Sequence, residues 1–181
     1  MDRAFPTGED RRRHRWLALV GLLAFILHGA LKARTGLLGE LLWGCNLSSL
    51  ALIAGFATSD ARLVGPAFVW RLGLGEPGFL LGLWSGERFG WTTGLVHVIP
   101  TLLAGAFLRR SGLPQGAALR AFAASLVMVG LGRLAPPPLN VNLAYALPGG
   151  LSWSLALPAA GLMLALAETL GVAWAGRPDA R

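Results

Sequence analysis

The sequence has 181 residues, of which 54% are hydrophobic and only 14% are charged, and its mean hydropathy is +0.57. Soluble domains carry about 25% charged residues, so this composition excludes a disordered chain and argues against a soluble globular enzyme. The single cysteine, Cys45, excludes an intramolecular disulfide and a cysteine-rich zinc site. The net charge of +7 comes from basic residues that mostly flank apolar segments. That pattern indicates membrane topology rather than nucleic-acid binding.

Six apolar segments follow one another, and each predicts a transmembrane helix. A helical span needs roughly 20 mostly apolar residues, and no segment shows the alternation that is typical of a barrel strand. We therefore predict an all-α polytopic membrane protein. It comprises a basic segment at 1–15, a transmembrane domain at 16–175 and a short tail at 176–181. The predicted spans are 16–33, 36–57, 61–84, 89–108, 115–134 and 151–175.

The basic residues also orient the predicted bundle. With the N-terminus in the cytoplasm, eleven basic residues lie on the cytoplasmic side and four on the opposite side. The positive-inside rule therefore places both termini in the cytoplasm and the 135–150 loop outside. Arginine is strongly preferred to lysine, which occurs only at Lys32. This bias indicates a GC-rich genome and favours the inner membrane of a bacterium.

Three chemically active side chains are predicted to share one layer of the membrane. With the second span starting near Gly36, Cys45 lies roughly 13 Å below its outer end, and His97 lies at nearly the same depth in the fourth span. Glu76 falls in the same layer of the third span. Thiol, imidazole and carboxylate are the groups of a nucleophile, a base and an orienting residue. The alternatives are an inert core thiol and an interior histidine that is hydrogen-bonded or an axial ligand.

Arg71 and Glu76 lie five residues apart in the third span, among glycines and next to Pro77. This composition predicts a helix that is kinked or locally unwound at this point. The two charges either neutralise each other or line a polar cavity where Arg71 binds an anionic head group. The glycine pattern from Gly73 to Gly78 matches a dinucleotide-binding motif, but it lacks the βαβ context that such a motif requires.

Four short motifs occur in order over residues 36–175. They are Trp43-Gly-Cys45-Asn46-Leu47, Phe68-Val-Trp70-Arg-Leu-Gly73-Leu-Gly75, Leu95-Val-His97 and Asn142-Leu-Ala-Tyr145. In these motifs the chain resembles the bacterial YwaF-like six-helix membrane proteins. That family is similar to a mammalian transmembrane ether-phospholipid acyltransferase and, more distantly, to the androgen-induced membrane fatty-acid-ester hydrolases. The resemblance implies that Cys45 and His97 are the catalytic pair, although Trp43 and Arg71 depart from the family pattern.

The sequence thus predicts a membrane-embedded acyl hydrolase or acyltransferase that acts on lipid esters in the outer half of the bilayer. Cys45 attacks the ester carbonyl, and His97 acts first as base and then as acid. We expect membrane lipids as partners and no cofactor, metal or nucleic acid. The remaining assignments are orientation or oxyanion stabilisation by Glu76 and Asn46, and head-group binding by Arg71, Asn142 and Tyr145.

Two other classes of function stay open at this point. The small size, the lack of a predicted soluble domain and the glycine-rich helix faces favour a non-enzymatic subunit or scaffold of a larger membrane complex. A small transporter is the other alternative, together with a haem or pigment binder that uses His28 and His97 as ligands. Co-purifying subunits would support the scaffold, and a visible absorption band would support the cofactor binder.

Overall fold

The computed structural model describes residues 8–87, 89–137, 141–143 and 152–177, and this part of the chain is helical without any strand. Its α-helices carry most of the predicted spans. They are α1 (Gly8–Arg34), α2 (Gly44–Thr58), α3 (Ala61–Trp70), α4 (Glu76–Trp84), α5 (Trp91–Ser111), α6 (Ala117–Gly132) and α7 (Trp153–Ala175). Most of the predicted 135–150 loop lies outside the described residues.

The helices lie at the positions of the predicted spans. A π-helical turn, Arg71–Gly75, joins α3 to α4, and 3-10 turns lie at Leu38–Leu42 and Val141–Leu143. Helices α1, α5 and α7 are long and apolar enough to cross a membrane. Helices α2 and α6 have only 15 and 16 residues, fewer than the roughly 20 that a full span needs. The structure therefore supports a membrane protein, while six spans and the orientation stay predictions.

The second helix begins later than the sequence indicated, at Gly44 rather than near Gly36. Gly36 adopts a φ of 72°, which ends the path of α1, and a 3-10 turn follows. Trp43 then has an extended ψ of 141°, so the turn cannot continue into α2. Cys45 consequently lies in the first turn of α2, and the predicted helix start at Gly36, which would place it nine residues into the helix, was wrong.

The packed interior of the bundle is divided into an apolar end and a polar end. Helix α3 is central and contacts α2, α5, α6 and α7, while α1 packs on α2 and α5. An apolar core forms where the last turns of α2 and α5 meet the first turns of α3 and α6. Its largest buried side chains are Phe56, Val64, Phe107, Leu108 and Leu113. The rings of Phe56 and Phe107 are 5.6 Å apart, between centroids.

The indole of Trp70 fixes the start of α2 against the π-helical turn. A Cβ atom on Gly44 would lie 2.6 Å from the indole Cη2, and one on Gly75 would lie 2.7 Å from Cζ3. Both distances are well below van der Waals contact, so only glycine fits at either position while the indole stays in place. This close approach brings the first turn of α2, and with it Cys45, beside the turn that carries Arg71.

Candidate functional site

Arg71 is the centre of a buried polar cluster, and none of its surface is exposed. Its Nε donates to Thr101 Oγ1 at 2.6 Å and to Glu76 Oε1 at 3.1 Å. The two terminal nitrogens donate to groups on α2 and α5. These acceptors are the carbonyls of Cys45, Val96 and His97 and the hydroxyls of Ser48 and Ser49. Every guanidinium nitrogen therefore has an acceptor, as a buried cation requires. We call this set of residues the Arg71 cluster.

Local irregularities of the backbone free a carbonyl acceptor for the guanidinium and set the position of Arg71. Pro100 has no N–H, so the carbonyl of Val96, four residues earlier, lacks its usual helical partner. That carbonyl accepts a hydrogen bond from Arg71 Nη2. On the other side, the N–H of Glu76 bonds to the carbonyl of Arg71, five residues back, which defines the π-helical turn. The predicted interruption of the third helix is thus confirmed.

Glu76 and His97 form a hydrogen-bonded pair inside this cluster. His97 Nδ1 lies 2.9 Å from Glu76 Oε2, while Glu76 Oε1 accepts from Thr101 at 2.6 Å and from Arg71. An ionised carboxylate only accepts, so the imidazole donates to it from Nδ1, and a neutral imidazole in this orientation carries its lone pair on Nε2. The ring of Phe79 stacks on the imidazole, with 4.2 Å between centroids. His97 is therefore held in one orientation, and Nε2 has no hydrogen bond to a described residue.

Cys45 joins the cluster chiefly through its backbone. Its carbonyl accepts from Arg71 Nη1 at 3.0 Å and from Ser49 Oγ at 2.8 Å. The thiol is partly buried and close enough to Arg71 and Glu76 to interact electrostatically with both charges. The thiol and the His97 imidazole, both within the described residues, share no hydrogen bond. The structure thus brings the predicted nucleophile, base and orienting residue to one guanidinium, without a hydrogen bond between the first two.

The residues predicted to bind a head group are placed differently. The side-chain amide of Asn142 donates to the carbonyls of Leu42 and Met128 at 2.7 and 2.8 Å. Its oxygen accepts from the N–H of Gly44 at 2.5 Å. Asn142 therefore fastens the turn at 141–143 to the start of α2, and its amide is fully used within the protein. Tyr145 lies outside the described residues.

Asn46 and His28 are also buried and polar, and they lie outside the Arg71 cluster. Asn46 is 2% exposed, and its Nδ2 donates to the carbonyl of Glu40 at 3.0 Å, while its Oδ1 has no partner among the described residues. His28 Nδ1 lies 3.1 Å from Thr92 Oγ1. Neither Asn46 nor His28 is hydrogen-bonded to His97 in the described part of the chain. That part also holds no group of three or more residues suited to a metal ion.

Thr101 was not among the residues predicted from the sequence, although its hydroxyl bonds to both Arg71 and Glu76. Two signals in the sequence point to it. Thr101 follows His97 by four residues, so the two side chains share one face of α5. It also follows Pro100 directly, where a backbone carbonyl is left open within the helix. A polar residue with this spacing belongs to the same site as the histidine.

The chemical capability of the cluster follows from its groups. An imidazole fixed at Nδ1 by a carboxylate can accept a proton at Nε2, and a nearby thiol can act as a nucleophile. The guanidinium holds the carboxylate in place.

Comparisons of the chain with protein-family models, curated proteins and solved structures find no match.

Proposed function

We propose that the protein is a membrane-embedded acyl hydrolase or acyltransferase that acts on lipid esters, with His97 as base and Cys45 as nucleophile. The observation that carries the proposal is the bond of 2.9 Å between Glu76 Oε2 and His97 Nδ1. Arg71 and Thr101 both bind the other oxygen of that carboxylate, so the orienting residue is itself oriented. An imidazole that a carboxylate holds in one orientation, inside an apolar bundle, is suited to act as a general base.

In the proposed reaction, His97 first accepts a proton and then returns it. Cys45 Sγ bonds to the ester carbonyl carbon as its proton passes to His97 Nε2, and the carbon–oxygen bond to the alcohol then breaks. His97 returns the proton to the leaving alkoxide, which leaves a thioester on Cys45. Water or an acceptor hydroxyl releases the acyl group by the same steps in reverse order. Proton transfer from thiol to imidazole requires the closer approach that substrate binding often brings about.

Arg71 acts in this scheme as a positioning residue for Glu76. Its donors are all directed at protein acceptors, so a head-group phosphate could bind it only by displacing one of them. The amide of Asn142 is occupied in the same way. The head-group assignments from the sequence are therefore not part of the proposal for either residue.

The test is acyl transfer by the full chain in lipid nanodiscs that contain a phospholipid with a radiolabelled acyl ester. We expect one acyl group on Cys45, released by hydroxylamine, and turnover that falls by about a hundredfold or more in His97→Gln. Cys45→Ala should take up no label. His28→Gln is the matched control, because His28 is also a buried histidine with a threonine partner. Its turnover should stay within about twofold of the unmodified chain.

Full turnover by Cys45→Ala would exclude the thiol mechanism. Equal losses in His97→Gln and His28→Gln would show that buried histidines only support the fold. A chain that binds lipid but never releases an acyl group would favour the second candidate, a non-enzymatic membrane subunit. That candidate is favoured by the Arg71 cluster, because the guanidinium bonds join the π-helical turn to α2, α4 and α5 within the protein. Stable co-purification with other membrane proteins would then be expected.

The proposal includes the membrane topology: six crossing segments, both termini in the cytoplasm and the inner membrane of a bacterium. It is supported by the distribution of basic residues and by the three long apolar helices. Cys45→Ala gives a background without thiols, into which Ser85→Cys and Ser111→Cys can be introduced singly. A membrane-impermeant maleimide should label whole cells at position 85 and not at position 111. The reverse pattern would invert the orientation.

A further inference from the structure

The N-terminal turns of α1 carry a basic and aromatic surface that the acyl-transfer proposal does not use. Helix α1 already begins at Gly8, so this region is helical rather than a separate segment. An open cavity of about 480 Å³ lies along the helix here. It is lined by Arg11, Arg12, Arg15, Trp16 and Leu19, all of them exposed. We define these five residues as the α1 basic site.

We propose that the α1 basic site binds the head group of an anionic phospholipid. Three guanidinium groups within five residues surround the same cavity, and no ion pair joins them to any described residue. The nearby carboxylate of Asp10 has its own ion pair, with Arg110 at 3.7 Å. Guanidinium groups bind phosphate oxygens through paired N–H donors, so the chemistry of this site matches a phosphate.

The neighbouring surface identifies the phosphate as that of a lipid rather than a soluble anion. Trp16 is 59% exposed, and an indole at this position is typical of the membrane interface. Beyond it, α1 presents Leu19, Leu23 and Ile26, which are all exposed and apolar. At about 1.5 Å per residue, Leu23 lies roughly 12 Å further along the helix than Arg15. One surface therefore offers cations for a head group and a continuous apolar path for its acyl chain.

The inference depends on α1 crossing the membrane and not on the acyl-transfer chemistry. The residues of the α1 basic site lie at the opposite end of α1 from His28, which is buried against α5. Failure of the acyl-transfer test would leave this proposal unchanged. Loss of lipid binding at the α1 basic site would likewise leave the Arg71 cluster intact.

The test is native mass spectrometry of the full chain in detergent, titrated with phosphatidylglycerol or with phosphatidylcholine of the same acyl chains. Each basic residue near a membrane surface contributes about fivefold to binding of anionic lipid. We expect Arg11→Gln/Arg12→Gln/Arg15→Gln to weaken phosphatidylglycerol binding by about a hundredfold and to leave phosphatidylcholine binding unchanged. The matched control removes the same charge from three exposed arginines elsewhere, with Arg34→Gln/Arg62→Gln/Arg120→Gln. It should change binding by less than about threefold.

Equal losses in the two triple variants would show that only net charge matters and would overturn the proposal. Equal affinity of the unmodified chain for the two lipids would do the same. Inorganic phosphate is the remaining probe. If it displaces phosphatidylglycerol at equal concentration, the site is one for a soluble anion and the lipid assignment is wrong. If it does not, the apolar path beside Trp16 contributes to binding as proposed.

Discussion

Two regions in the interior of this bundle are held together by opposite kinds of interaction. The apolar core around Phe56 and Phe107 has only packing contacts, whereas the Arg71 cluster has only directed hydrogen bonds and an ion pair. Lipid tails are as apolar as a phenylalanine ring. A core side chain that leaves the bundle but stays in the membrane therefore loses only its packing contacts. Polar groups there have no water to return to. The comparison indicates that the polar region decides which helices meet, and that the apolar region refines how closely they pack.

The largest effect is expected for Arg71→Met. The variant leaves the partly buried Glu76 carboxylate without its cation and removes the donors from the carbonyls of Val96 and His97. Breaking one side of a buried ion pair typically costs about 3–5 kcal/mol. The free energy of unfolding in mixed detergent micelles measures this loss. Arg71→Met/Glu76→Met removes both charges and should recover a large part of it. A loss below about 1 kcal/mol in the single variant would contradict the larger energetic role of the polar region.

A smaller effect is expected in the apolar core for Phe107→Ala. In soluble proteins such a truncation costs about 3–5 kcal/mol, part of which is transfer of the ring to water. If this region lies in a membrane, only the packing part is lost, and we expect about 2 kcal/mol. The same unfolding measurement applies, with Phe107→Leu as the conservative control. A loss for Phe107→Ala that exceeds the loss for Arg71→Met would reverse the ranking of the two regions.

A comparable or smaller loss is expected for Gly44→Ala, which tests how the polar region is assembled. The new methyl group would overlap the Trp70 ring and push the first turn of α2 away from Arg71. Such overpacking costs about 1–2 kcal/mol. Gly94→Ala is the control, since a Cβ atom there has no neighbour within 4 Å, and it should be neutral or stabilise α5. Equal losses at Gly44 and Gly94 would mean that the close approach to Trp70 has no energetic consequence.

The smallest effect on stability is expected for Thr101→Val, which removes one hydroxyl from the Arg71 cluster. Its hydrogen bonds to Glu76 and Arg71 are both 2.6 Å, and their loss should cost about 1 kcal/mol. In the proposed reaction the same variant should lower kcat more than it raises KM, because it loosens the carboxylate that orients His97. Thr101→Ser keeps the hydroxyl and should behave like the unmodified chain. If Thr101→Ser is as impaired as Thr101→Val, the methyl group matters instead.

The positions of the helices could be predicted from the sequence because apolar length and the charged separators are local properties. The break at Trp43 could not, since it depends on a ring from α3 that packs against Gly44. The layer shared by Glu76 and His97 was suggested by depth alone, and the hydrogen bond between them required the structure. For Asn142, the structure shows a different kind of contact from the one that the sequence suggested. Its sequence context suggested a ligand contact, while two of its three partners, Leu42 and Gly44, lie about a hundred positions away along the chain.

The guanidinium of Arg71 also has a consequence for biosynthesis. Insertion of a charged residue at the centre of a span costs roughly 2.5–3.5 kcal/mol on translocon scales. When α3 leaves the ribosome, the serines of α2 and the adjacent Glu76 are already present, but the carbonyls of Val96 and His97 are not yet synthesised. In the proposed six-span topology, the third segment would therefore enter the bilayer before its guanidinium has all of its acceptors, and the arrival of α5 would complete the set. Integration of the third segment should accordingly become efficient only when the nascent chain extends past Thr101.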